Sequence, residues 1–214
     1  MKREGSPTKR AAIVRAALDV FVREGYARAS VDAIAAAAGV SKRTIYDYYG
    51  DKEQLFLSAL QETKDAQTAA GQELLDRTLG QVDDIEAALT AFGREFAAGV
   101  ARSAERAAVI RLTIAEASHF PALTEPSAAN RSVQHALADR LAALAEQGLL
   151  EIPDPMEAAE FLGILVTGRV NNRSWYGAVP LDDAEISRLV TGGVRIFLRA
   201  YRPGAAQHLS ARRS

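Results

Sequence analysis

The stretch VSKRTIYDYYGDKEQL, Val40 to Leu55, places Lys42 and Arg43 directly after a serine suited to cap a helix, and Lys52 directly after a second capping residue, Asp51. The first turn of a helix carries roughly half a positive charge, so a cation there costs about 0.3–1 kcal/mol. A bound anion reverses that cost, because free N–H groups at a helix start donate to phosphate oxygens. Upstream, Ser30 caps a short helix, Val31 to Ala38, and Gly39 and Val40 form a tight turn. Ser41 then starts a second short helix that Gly50 ends. Ile34, Ala35, Ala38, Val40 and Ile45 can bury one another, with alanines that allow close helix approach. This is helix-turn-helix spacing, in which the N-terminal residues of the second helix face the major groove. Lys42, Arg43 and Thr44 occupy that place.

The rest of the chain repeats apolar residues at spacings of three and four, and alternating strand patterns are scarce. The expected fold is all-α: an N-terminal three-helix helix-turn-helix head and a larger helical ligand-binding and dimerisation body, about nine helices in all. The first helix starts after Thr8, carries Ile13, Ala16, Ala17, Val20 and Phe21 on one face, and stops at Gly25. Asp51 caps the fourth, with Gln54 completing a capping-box pattern, and that helix continues to about Leu79. Further helices are expected from Ile85, from Ala104 to His119 before Pro121, from Ser127 to Gln147, from Pro155 behind the cap Asp154, and from Asp182 to just before Pro203. The expected division is 1–54 for DNA binding, 55–203 for ligand binding and dimerisation, and 204–214 as a disordered tail.

Composition narrows the function. The 214 residues contain no cysteine, which excludes disulfides, thiolate nucleophiles and Cys-ligated metals. Neither the charged start MKREGSPTKR nor any long apolar run reads as a signal peptide or membrane span, so a soluble, cytoplasmic protein is expected. Net charge is −1, yet residues 1–55 hold ten Lys and Arg against seven Asp and Glu, while residues 56–198 hold twelve against twenty. A basic head on an acidic body points to a polyanion met by the head alone. Three histidines and no paired-carboxylate or Ser-His-acid set give an enzyme little support. No cofactor and no metal are expected; Glu116 and His119, one turn apart, are only two potential ligands.

The segments IVRAALDVF, EGY and IAAAAGVSKRTIYDYYGDKEQL, spread over Thr8 to Leu60, resemble the DNA-binding head of the TetR family of transcriptional regulators. Thr44, Ile45, Tyr46 and Lys52 match the family hallmark directly, whereas Tyr49 replaces its commonest Phe and Gly50-Asp51 its more usual pair. The resemblance implies that Ser30, Ser41, Tyr46 and Lys52 contact phosphates, and that Lys42, Arg43, Thr44 and Asp47, with Tyr48 nearby, face base edges. Arg43 could then read guanine and Asp47 cytosine; alternatively Asp47 repels phosphate and restricts binding. RLTIAEASHFPAL, Arg111 to Leu123, and DPMEAAEFLGILV, Asp154 to Val166, resemble the C-terminal domain of the AefR-like subgroup.

Within the body, the last two long helices are the expected dimer surface. Phe161, Leu165, Gly168, Leu189, Gly193 and Phe197 either form it or close the subunit's own core. Phe92, Phe96, His119, Phe120, Trp175 and Tyr176 supply aromatic surface with polar edges, the materials of a ligand pocket or of core. Asn172 either orients a polar ligand or meets solvent. The expected function is a ligand-responsive, homodimeric DNA-binding regulator, a repressor of a palindromic operator released by a small-molecule inducer. The alternative is a constitutive DNA-binding or architectural dimer with no inducer. The partners are thus a double-stranded DNA operator, a second copy of the chain and an unidentified small molecule.

Overall fold

A computed structural model describes residues 7–123 and 128–204, and among these it forms nine α-helices and no strand. They are α1 (Pro7–Arg28), α2 (Val31–Ala38), α3 (Lys42–Tyr49), α4 (Lys52–Leu79), α5 (Ile85–Ala101), α6 (Ala104–Glu116), α7 (Ala128–Glu146), α8 (Pro155–Arg173) and α9 (Asp183–Tyr201). None of the described helices is long and apolar enough to cross a membrane. Ser127, the expected start of the seventh helix, and the tail after Gly204 lie outside the described residues.

The chain divides into two compact units, 1–67 with 108–127, and 68–107 with 128–214. Both α4 and α6 therefore begin in one unit and end in the other. The first unit is built on α1, whose Ile13, Ala17, Val20 and Phe21 are almost fully buried. These residues follow the three-and-four spacing that puts one helix face inward. The helical path breaks at Gly25, with φ of 76° and ψ of 163°, a conformation that a side chain would strain. The last turn of α6 also comes to this unit. Its helix was expected to run to His119 but ends at Glu116, where the N–H of Phe120 closes onto the Glu116 carbonyl at 3.0 Å. Pro121 disfavours a helical backbone at the residue before it, and Phe120 is drawn into the core against Tyr26 and Phe56.

The second unit packs α5, α7, α8 and α9 around Leu89, Leu141, Leu162, Val190 and Phe197. Asp154 caps α8 by accepting from the N–H groups of Met156 and Glu157, and Pro155 occupies its first turn as the sequence pattern required. Two glycines set how closely these helices approach. A Cβ at position 93 would lie 2.7 Å from Val190 Cγ1 and 3.0 Å from Val166 Cγ1. A Cβ at position 193 would collide with the Leu165 carbonyl oxygen, so α9 rests backbone to backbone on α8.

Gly193→Ala is therefore expected to lower unfolding free energy by about 2 kcal/mol or more, in the range for overpacking. Gly192→Ala, which meets only the flexible end of Arg169, should be neutral or stabilising by up to about 1 kcal/mol. Urea denaturation of both variants checks the contrast.

Candidate nucleic-acid interface

The turn between α2 and α3 is fixed by backbone chemistry. Gly39 adopts the left-handed conformation with φ of 66° and ψ of 33°. Its N–H donates to the Ala36 carbonyl at 3.3 Å, and the Val40 N–H donates to Ala35 at 3.0 Å, closing the C-terminus of α2. The hydroxyl of Ser30 accepts from the Ala33 N–H at 3.0 Å, and that of Ser41 from the Thr44 N–H at 3.1 Å. Each cap is worth about 1 kcal/mol.

Ile45 and Tyr49 are buried, four residues apart, so one face of α3 is committed to the core. Geometry then turns Arg43 and Asp47 outward with Tyr46 at the edge; Lys42 falls on the side of Ile45 but is the first residue of the helix, and all four are exposed. Thr44 and Tyr48 are half-buried at the edges of that face. Arg43, Thr44, Tyr46 and Asp47 thus lie on the solvent side of α3, with the Ser41 and Thr44 hydroxyls 2.8 Å apart at its start, while Ser30 caps α2 and Lys52 begins α4.

The cations at the helix starts have intramolecular partners that the sequence reading did not foresee. Lys42 Nζ donates to Asp32 Oδ2 at 2.8 Å, and that bond raises the Lys42 pKa above the ordinary lysine value. Asp32 lies in the first turn of α2, where a carboxylate is favourable. Arg43 Nε stands 4.0 Å from Asp47 Oδ2, one turn along the helix. Lys52 Nζ donates to the Ala27 carbonyl at 3.3 Å and lies 4.5 Å from the centre of the Tyr26 ring. The Lys42 and Arg43 pairs are exposed, and pairs of that kind are worth about 0–1 kcal/mol, which leaves the cations available to phosphate.

Glu116 is a residue that sequence reasoning assigned only to a doubtful metal pair. Its side chain is mostly buried; one oxygen accepts the Tyr26 N–H at 3.2 Å, and the other stands 3.2 Å from His119 Nδ1. A carboxylate here satisfies a backbone donor left free where Gly25 breaks α1. Nothing in the local sequence pairs residues ninety positions apart, so no signal could have found it. Among the described residues no group of three His, Asp or Glu side chains could hold a metal.

The seven residues considered for a pocket are divided between the two units. Phe92 and Phe96 stack at 5.6 Å in the second unit, whereas Phe120 belongs to the core of the first and His119 is exposed there. Asn172, Trp175 and Tyr176 are exposed at the end of α8, and the two aromatics take positive φ of 49° and 53°. None of the seven lines the three described cavities. Of the residues considered for a dimer surface, Phe161 is exposed, Leu165 and Gly168 are half-buried, and Leu189, Gly193 and Phe197 are buried within the subunit.

Residues 13–59 match the bacterial regulatory proteins of the tetR family, and residues 87–203 match the C-terminal domain of AefR-like transcriptional repressors. The DNA-binding transcriptional repressor TetR of Mycobacteroides abscessus is 29% identical over 210 residues, covering 92% of this chain and 96% of that protein. A TetR-family transcriptional regulator from Mesorhizobium loti superposes with a TM-score of 0.81 at 26% identity, covering 92% of this chain and all of the other. The flavonoid-responsive regulator FrrA superposes with a TM-score of 0.65 at 30% identity, over 92% of this chain and 99% of FrrA. Other curated relatives, among them repressors and an activator, match over shorter stretches, and the chain spans only 23–38% of their length.

Removing the Glu116 carboxylate should leave the Tyr26 N–H unsatisfied. Glu116→Ala is expected to destabilise the protein by about 1–3 kcal/mol, while Glu116→Gln, which keeps an acceptor oxygen, should cost less. Chemical denaturation followed by circular dichroism distinguishes the two.

Proposed function

This chain belongs to the TetR family of transcriptional regulators, and from that premise we propose a cytoplasmic homodimeric repressor that binds a palindromic operator and leaves it on binding a small molecule. The observation that carries the DNA-binding half is the inner face of α3, which turns Arg43 and Asp47 to solvent with Tyr46 at its edge, beside a capped helix start where Lys42 is exposed. In this reading Arg43 and Lys42 face base edges with Thr44 and Tyr48 beside them, while Ser30, Ser41, Tyr46 and Lys52 hold phosphates. Asp47, 4.0 Å from the Arg43 guanidinium, orients it when it is not itself meeting a cytosine amino group. The functional division is 1–54 for DNA and 55–203 for ligand and dimer.

Two heads are needed to read a two-fold operator, and α8 and α9 offer the surface that would pair them. Phe161, Ile164 and Ile196 are 45%, 57% and 54% exposed, and Gly163 faces open space. Large apolar side chains left exposed together mark interaction surfaces. Leu165 and Gly168 border that surface, while Leu189, Gly193 and Phe197 hold α9 on α8 behind it. Repression is favoured by the AefR-like repressor match and by the full-length likeness to a repressor. Responsiveness to a small molecule is favoured by the likeness to a regulator named for its response to flavonoids. An inducer releases DNA only by binding the DNA-free state more tightly.

Genomic fragments selected by the purified protein supply the operator, and fluorescence anisotropy then separates the roles. Lys52→Ala should weaken binding to operator and unrelated DNA alike and reduce the salt slope by about one. Arg43→Ala should cost about 1–3 kcal/mol on the operator and relax base preference at one position of each half-site. Equal losses on specific and unrelated DNA for both variants would overturn this division of roles.

A further inference from the structure

In the second unit, α5, the Arg102–Ser103 turn and the start of α9 line an open groove of about 600 Å³, within the size range of small-molecule sites. Ala91, Ala98, Gly99 and Ile186 give it an apolar strip, and Arg94, Glu95, Arg102 and Asp183 give it charge. These four charges sum to zero, but their pairing leaves one cation over. Glu95 is already paired with Arg77, and Asp183 with Arg102. Arg94 has no carboxylate partner among the described residues.

Arg106, in the first turn of α6, is not itself a lining residue but packs against Ser103 and Gly99, which are. Its N–H donates to Ser103 Oγ at 3.1 Å, and a Cβ at position 99 would stand 3.2 Å from its Nη1. Its Nε is buried with no hydrogen-bond partner. Burial pulls its pKa below the ordinary arginine value, yet a guanidinium stays protonated at neutral pH. A buried charged donor without an acceptor is costly. Guanidinium groups match the two oxygens of a carboxylate.

We propose that this groove binds a small organic carboxylate, with Arg106 and Arg94 receiving the carboxylate and Ala91, Ala98 and Ile186 covering its apolar part. The proposal rests on the ligand-responsive reading above and names the chemical class of the effector.

The test uses the full-length protein with benzoate and octanoate as probes and benzamide and octanamide as neutral counterparts, titrated by calorimetry at constant ionic strength. The carboxylates should bind at least tenfold more tightly than their amides. Arg106→Met should abolish that preference, Arg106→Lys should restore part of it, and Arg94→Ala, a change at an exposed side chain that leaves the fold intact, should weaken it severalfold. Binding of neither carboxylate, equal binding of acid and amide, or a preference unchanged in both Arg106→Met and Arg94→Ala would overturn the inference. Operator anisotropy with the same probes separates this outcome from the functional reading. Carboxylate binding that requires Arg106 but leaves operator affinity unchanged upholds the groove and counts against ligand-driven release. Release by a neutral compound with no carboxylate binding does the reverse.

Discussion

The burial of Ile45 and Tyr49 on one side of an eight-residue helix governs what this head can do. With 3.6 residues per turn, two inward positions four apart turn Arg43 and Asp47 to the opposite, outward face and Tyr46 to its edge, while Lys42 is exposed because it is the first residue of the helix. The constraint propagates inward as well. Ile45 lies in one core with Ile34 and Ala35 of α2 and with Ile13 and Phe21 of α1. Phe56, fully buried at the start of α4, meets the rings of Phe21 at 5.0 Å, Tyr26 at 5.0 Å and Phe120 at 5.2 Å. Recognition helix, supporting helices and the end of α6 thus share one apolar cluster, and a shift of any ring is felt by the others.

The polar contacts around that cluster moderate its charge rather than cancel it. Asp32 faces Lys42, Asp47 faces Arg43, and the Ala27 carbonyl with the Tyr26 ring faces Lys52. Each offsets part of the cost of placing a cation at a helix start, which the free protein would otherwise carry alone. Exposed pairs of this kind are worth about 0–1 kcal/mol, little enough to yield to a polyanion. In the proposed complex the operator takes over these cations.

The head was legible in the sequence because its signals are local. Caps at Ser30 and Ser41, the left-handed turn at Gly39 and the inward spacing of Ile34, Ala35 and Ile45 act over three or four residues, and all appear where expected. The body was legible as helices but not as a site. An aromatic residue at helical spacing is core or pocket according to what packs opposite it, and Phe92 and Phe120 found different cores. From sequence alone Gly193 fits either a dimer surface or the subunit core, and its close neighbour is Leu165 of the same chain. Contacts such as Glu116 with Tyr26, or Arg106 with Gly99, join segments that no periodicity links.

Hydrogen–deuterium exchange of the full-length protein, free and bound to its selected DNA fragment, tests the central claim most directly. Fast-exchanging amides report which backbone the DNA covers. The account predicts slowed exchange at residues 30–32 and across 41–52, with the outward face of α3 most affected. Slowed exchange confined to residues outside the head, or none in α3 while DNA stays bound, would contradict it.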